Sequence, residues 1–240
     1  MQDKCARFAE LSGDGDIAVE MRRGAERTRT ALHNAFHKGN GVYDNGGQTA
    51  QAMALYFGIV PKSAVAVARA QLVAAVEKMG VRNDFGIYGS KCVFRMLSEA
   101  GRTDLAFRML VNAEAPSFAN WAVNGEGTLW ESYRGRSSRN HVMFGDYVAW
   151  AYKYLAGIDA DPAHGWRRLI FAPQLIAALS FAQAETETPY GKVRGGWRRT
   201  GDRIVYELHV PPQCAAVVRL PGEAERFVVA GDWVETRGVD

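Results

Sequence analysis

The segment Gly125-Glu126-Gly127-Thr128-Leu129-Trp130-Glu131-Ser132-Tyr133 is followed, after Arg134-Gly135-Arg136, by Ser137-Ser138-Arg139-Asn140-His141-Val142-Met143-Phe144-Gly145, and the reading of the chain turns on it. It sets the carboxylate of Glu131 directly behind the ring of Trp130 and then supplies Arg139, Asn140 and His141. A sugar ring calls for that mixture: a flat apolar surface for its C–H face, forked donors and acceptors for its hydroxyls, and a carboxylate for chemistry at the anomeric carbon. Carbohydrate is therefore the first ligand the segment implies. Trp121, nine residues ahead of Trp130, is a second candidate stacking platform. Asn140 also stands where it can cap the next helix, whose apolar face reads Phe144, Tyr147, Val148, Ala151 and Leu155.

On the N-terminal side the pattern is helical. Residues 3 to 11 have helical composition and begin almost at Met1, as though the chain started in the middle of something. Residues 16 to 37 predict a longer helix, closed by Lys38-Gly39-Asn40-Gly41. Thr49 to Phe57 predicts a short apolar helix. Pro61 suits a first helical turn, and Val65, Ala68, Leu72 and Val76 repeat at helical spacing before Gly80. Residues 89 to 100, with Gly89-Ser90 as the cap, and 103 to 111 predict two more helices.

Beyond Gly157 the period changes. Asp161-Pro162 and His164-Gly165 mark a boundary, and short β-type runs follow at Leu169–Phe171, Lys192–Arg198, Arg203–Val210, Ala215–Leu220 and Arg226–Val229. Alternation along Arg203–Val210 is that of a half-buried antiparallel strand. The chain thus divides into a helical region of residues 1–160 and a small antiparallel β-sandwich of residues 165–240. Trp150, Trp166, Trp197 and Trp233 read as packing residues.

Composition excludes several classes. With 240 residues, 48% of them hydrophobic, the chain can bury a core. A formal charge of +3 with dispersed basic residues does not imply nucleic acid. No apolar run is long enough for a membrane span, and the opening Met1-Gln2-Asp3-Lys4-Cys5 lacks the regions of a signal peptide, so the sequence as it stands reads as cytoplasmic. Cys5, Cys92 and Cys214 are widely spaced and odd in number, against a disulfide framework or a Cys-x-x-Cys site.

No metal and no cofactor is implied. His33 and His37 have the spacing of a zinc pair but lack the zincin glutamate, and they read as a solvated helix face. Asp14-Gly15-Asp16 lacks the later ligands of a calcium loop, and Gly86-Ile87-Tyr88-Gly89-Ser90-Lys91 has the wrong spacing for a phosphate loop.

The order of several short motifs resembles the bacterial α-L-rhamnosidases, six-hairpin glycosidases with an (α/α)6 barrel. Thr128-Leu129-Trp130-Glu131 and Ser138-Arg139-Asn140-His141-Val142-Met143-Phe144-Gly145 are similar to that family's Thr-(Ile/Leu)-Trp-Glu and Ser-x-Asn-His-x-Met-Phe-Gly segments. Gln48-Thr49 through Gly58-Ile59-Val60-Pro61, Leu97-Ser98-Glu99-Ala100-Gly101-Arg102-Thr103-Asp104-Leu105-Ala106, and Thr188-Pro189-Tyr190-Gly191 followed by Trp197 extend the resemblance along nearly the whole chain.

The resemblance implies an (α/α)6 toroid, here its second half, followed by the β-domain. It implies inverting hydrolysis of terminal α-L-rhamnosides with Glu131 as general base, and it puts Trp130 and His141 at the glycone. Asp84-Phe85-Gly86-Ile87-Tyr88-Gly89 falls where the family carries a pocket-lining turn, which makes Asp84 and Tyr88 further candidate contacts. Its wording departs from the family's Thr-Gly turn, which leaves another sugar preference open. The family's general acid comes from an Asp-Glu-Arg-x-Gly-Trp segment, and no Asp-Glu-Arg occurs here. This implies little hydrolysis by the chain alone, and a partner: the other half of the barrel, or a second copy covering the exposed helix faces. A non-catalytic carbohydrate-binding remnant is the alternative reading.

Overall fold

The computed structural model describes residues 1–125, 127–133 and 135–238. They fall into two compact units, Met1–Ala100 and Gly101–Asp240.

The first unit is helical. Helices α1 (Gln2–Ser12) and α2 (Gly15–Phe36) pack against each other, and α3 (Gln48–Tyr56) packs against both α4 (Val65–Lys78) and α5 (Ile87–Glu99). Ala68, Leu72 and Val76 are the buried stripe of α4, as their spacing predicts. Helix α5 starts two residues earlier than expected: Gly86 is its N-cap, while Gly89 and Ser90 are buried within its first turn. Phe8 and Leu11 on α1 and Ile17 on α2 remain largely in solvent.

Two glutamines staple α3 to its flanking loops. Gln51 accepts the Tyr43 amide at 2.6 Å and donates to the Gly41 carbonyl at 3.0 Å. Gln48 donates to the Arg82 carbonyl at 2.8 Å and accepts the Asp84 amide at 2.9 Å. Both side chains are fully buried and both ends of each are satisfied, so the polar groups of these loops are tied down without water. His33 and His37 are half-buried rather than solvated: their rings stack at 4.8 Å, and Nδ1 of His33 lies 2.8 Å from the Tyr43 hydroxyl.

The second unit begins with α6 (Thr103–Val111) and a short helix, α7 (Phe118–Asn124), which the sequence pattern does not announce. The expected amphipathic helix over Phe144–Leu155 proves to be three pieces. A 3₁₀ turn (Val142–Gly145) leads into α8 (Asp146–Trp150) and then a π-helical turn (Ala151–Ala156). Phe144, Trp150 and Leu155 are buried, but Val148 is exposed because the winding changes beneath the apolar stripe.

Six strands follow: β1 (Ile158–Asp161), β2 (Gly165–Phe171), β3 (Phe181–Thr188), β4 (Gly191–Thr200), β5 (Arg203–Val218) and β6 (Arg226–Gly238). They form one hydrogen-bonded sheet in the order β1-β2-β5-β4-β3, with β6 paired to β5, in place of the two separate antiparallel sheets expected. The pairing of β2 with β5 is parallel. Strand β5 makes this possible. Its first limb pairs with β4, its second with β2, and an irregularity between Val210 and Ala215 containing Pro211 and Pro212 separates them.

The two limbs carry opposing walls of one core. Gly195 on β4 shows how close they come: a Cβ there would lie 2.4 Å from Cγ2 of Ile158 on β1 and 3.3 Å from both Leu208 and Phe171. Around it pack Leu169, Val193, Trp197, Tyr206 and Val218, all buried. Trp166 and Trp233 pack against the same cluster. Among the described residues no helix is long and apolar enough to cross a membrane.

Asp161 fixes the β1–β2 turn. One carboxylate oxygen accepts the Ala163 and His164 amides and faces the His164 ring at 3.0 Å, while the other takes Nε of Arg168 at 2.8 Å. The His164 ring, the two amides and Arg168 hold this carboxyl well below the usual carboxylate range, against the opposing effect of burial. A depressed folded-state pKa adds stability that is fully present above the unfolded value, about 3.9, and is lost as pH falls through the folded one. Asp161→Asn should therefore lower the urea midpoint at pH 7. The difference from the parent chain should shrink below about pH 4, where the carboxylate of the unfolded parent begins to protonate while the folded one is still ionised. A difference independent of pH contradicts this assignment.

Candidate active site

Helix α7 is capped by Ser117, whose hydroxyl accepts the Asn120 amide at 3.0 Å. The cap starts a helix that carries Phe118 and Trp121 inward, both buried. Trp121 lies 4.9 Å from Tyr133 in a stacked arrangement, 5.4 Å from Phe144 and 5.6 Å from Phe118 edge-on, and 6.0 Å from Trp130. With 2% of its surface exposed, it supports the other rings from below and offers no free face for stacking, unlike the platform expected from the sequence.

Two arms rise from this aromatic floor and hold each other. The Glu131 amide donates to the Ser138 carbonyl at 2.8 Å, the His141 amide to the Leu129 carbonyl at 2.7 Å, and the Thr128 hydroxyl to the Arg139 carbonyl. Leu129-Trp130-Glu131 therefore runs beside Ser138-Arg139-Asn140-His141. The ten-residue separation in sequence becomes adjacency of backbone.

Trp130 is half-buried, and the Arg139 guanidinium carbon stands 4.9 Å from its ring centroid. Glu131 is exposed, with one carboxylate oxygen accepting the Ser138 amide at 3.2 Å. Asn140 is exposed and is not a helix cap, since His141 holds that position for the 3₁₀ turn. Instead its amide donates to the Ser138 hydroxyl at 3.2 Å. His141 is half-buried.

Three nitrogens in this cluster are enclosed without a hydrogen-bond partner among the described residues: Nε1 of Trp121, Nε1 of Trp130 and Nε2 of His141. Leaving one such group unsatisfied costs about 1–3 kcal/mol.

Asp84 and Tyr88 belong to the first unit. The Asp84 amide is held by Gln48, and Asp84 is among the residues that line a cavity of about 670 Å³ together with Arg29, Tyr43, Asn45, Gln48 and Thr49. Tyr88, in the first turn of α5, is 72% exposed. Tyr133 is the contributor that sequence reasoning missed. The aromatic density from Phe118 to Tyr147 was the available signal, but nothing in it singles out the ring that stacks on Trp121.

Residues 1–155 match the family described as bacterial α-L-rhamnosidase 6 hairpin glycosidase domain. The chain belongs to this family. Residues 157–233 of this rhamnosidase-family chain match the bacterial α-L-rhamnosidase C-terminal domain. It is similar to an α-L-rhamnosidase of Alteromonas sp. (strain LOR), 30% identical over 175 residues that cover 68% of this chain and 19% of that protein. It is also similar to one of Formosa agariphila, 28% identical over 228 residues, covering 90% and 24%.

Among solved structures, the α-L-rhamnosidase of Dictyoglumus thermophilum superposes with a TM-score of 0.84 at 26% identity, over 93% of this chain and 26% of that one. The Streptomyces avermitilis α-L-rhamnosidase complexed with L-rhamnose gives 0.91 at 24% identity, over 98% and 26%. This rhamnosidase-family chain thus spans about a fifth to a quarter of the curated relatives it matches.

Proposed function

We propose that the paired arms 128–131 and 138–141 form the general-base side of an α-L-rhamnoside hydrolysis site. The observation that carries this reading is the adjacency of Trp130, Glu131 and His141 on two loop arms bonded to each other through their backbones. In the proposed reaction Glu131 removes a proton from a water molecule as its oxygen attacks the anomeric carbon from the face opposite the leaving group. The C1–O bond to the aglycone breaks, configuration inverts, and a general acid protonates the departing oxygen. Trp130 and His141 hold the glycone, and Asn140 is assigned as a further substrate contact. Trp121 acts through the rings above it.

The helical region, residues 1–160, is assigned as part of an (α/α)6 toroid and residues 165–240 as its companion β-domain. The acid is assigned to a segment these 240 residues do not contain, since inversion needs a second carboxyl group about 6.5–9.5 Å from the base and no Asp-Glu-Arg sequence is present. Exposed Phe8, Leu11 and Ile17 are assigned to contact with the remainder of that toroid.

The test uses leaving groups. A phenolate as stable as 2,4-dinitrophenolate departs without protonation, whereas an alkoxide does not. A chain lacking only the acid should cleave 2,4-dinitrophenyl α-L-rhamnoside with β-L-rhamnose as first product, seen by NMR. Methyl α-L-rhamnoside should stay intact, because the missing acid costs about 10²–10⁴ in rate. First release of α-L-rhamnose, or equal rates on both substrates, contradicts the mechanism. A binding-only role is the second reading, favoured by the solvent exposure of Glu131 and its bond to the Ser138 amide. Saturable sugar binding without cleavage of either glycoside selects it.

A further inference from the structure

We propose that Gly135 is a positioning residue that sets the orientation of Trp130, and the functional weight of this rests on the reading of Trp130 as a wall of the sugar site. A Cβ built on Gly135 would lie 2.7 Å from Cζ3, 2.9 Å from Cε3 and 3.4 Å from Cη2 of Trp130. All three nearest atoms belong to one edge of one ring. On Gly125, a Cβ would lie 3.1 Å from Cζ2 of the same six-membered ring. The benzo edge of the indole therefore sits in a slot between two stretches of backbone that carry no side chain. Trp121 at 6.0 Å and the Arg139 guanidinium at 4.9 Å close two further directions. An indole held on so many sides keeps its Nε1 and its free surface in one orientation, and preorganisation of that kind raises affinity without adding a contact.

Gly135 has a second reason to be glycine, because its φ is +62°. The two reasons can be separated within the same loop. Gly127 has φ +75° with nothing within 4 Å of its Cβ position, so Gly127→Ala suffers the backbone strain without the clash.

The experiment follows the indole Nε1–H resonance of Trp130 in the ¹⁵N-labelled chain, identified by its disappearance in Trp130→Phe. Gly135→Ala should shift or broaden that resonance and weaken L-rhamnose binding on the order of tenfold, while Gly127→Ala leaves both as they were. An unmoved resonance in Gly135→Ala, or an equal displacement in Gly127→Ala, overturns the proposal. Should Gly135→Ala fail to fold, the double variant with Trp130→Leu decides. Removing the ring edge should bring the midpoint to within the loss that Gly127→Ala shows of Trp130→Leu alone, since only the strain of the positive φ remains, and a midpoint depressed well beyond that loss overturns it. If the resonance moves while neither Gly135→Ala nor Trp130→Phe alters L-rhamnose affinity, the positioning role stands and the sugar assignment of Trp130 falls.

Discussion

Replacing Glu131 by Gln should lower the rate of 2,4-dinitrophenyl α-L-rhamnoside cleavage by about 10²–10⁴, with the KM little changed. The amide keeps the shape and can still take the Ser138 amide proton on its oxygen, so the two arms should hold. What it cannot do is accept a proton from water. Because the base works only as the C–O bond forms, its loss falls on kcat and spares ground-state binding. Azide, which needs no deprotonation, should restore turnover and give a rhamnosyl azide of inverted configuration. Unchanged turnover in Glu131→Gln removes this residue from the chemistry.

Trp197→Ala should destabilise the second unit by about 3–5 kcal/mol, the usual cost of emptying a buried aromatic site. Its ring is 3% exposed among Phe171, Leu208 and their neighbours, and its Nε1 donates to the Leu155 carbonyl at 2.8 Å. Removing it leaves a cavity and also strips that carbonyl at the end of the π-helical turn of its side-chain donor, two costs that add. The bond ties the sheet to the helical segment that follows the candidate site. Chemical denaturation should show the loss directly, and Trp197→Phe, which keeps most of the volume but not the donor, should recover the larger part. A loss below about 1 kcal/mol contradicts this account of the core.

Much of this was legible in the sequence, for identifiable reasons. The stripe Ala68, Leu72 and Val76 has a helical period and a buried face to match it, and Arg203–Val210 alternates because one side of β5 meets the core. Strand β3 escaped because Phe181–Thr188 has no buried residue; pairing with β4 holds it in place, and pairing leaves no mark on hydropathy. The two runs Arg203–Val210 and Ala215–Leu220 looked like separate strands because Pro211 and Pro212 stand between them, yet β6 pairs along both and makes them one. Asn140 looked like a helix cap because the stripe from Phe144 onward suggested a regular helix, and a 3₁₀ turn capped by His141 begins there instead.

At the candidate site, the pairing of Glu131 with Ser138 and of His141 with Leu129 gives physical form to a proximity that composition alone could only suggest. The roles of Tyr133 and Gly135 were out of reach, because both depend on where the Trp121 and Trp130 rings stand in space.

Isothermal titration of the chain with L-rhamnose, with L-fucose as the comparison sugar, measures whether Trp130 and His141 form a rhamnose subsite. The expected result is saturable binding of L-rhamnose that is lost in Trp130→Ala and in His141→Ala, is retained in Glu131→Gln, and is at least about tenfold weaker for L-fucose. Binding that survives both Trp130→Ala and His141→Ala, or no saturation by L-rhamnose at all, contradicts it.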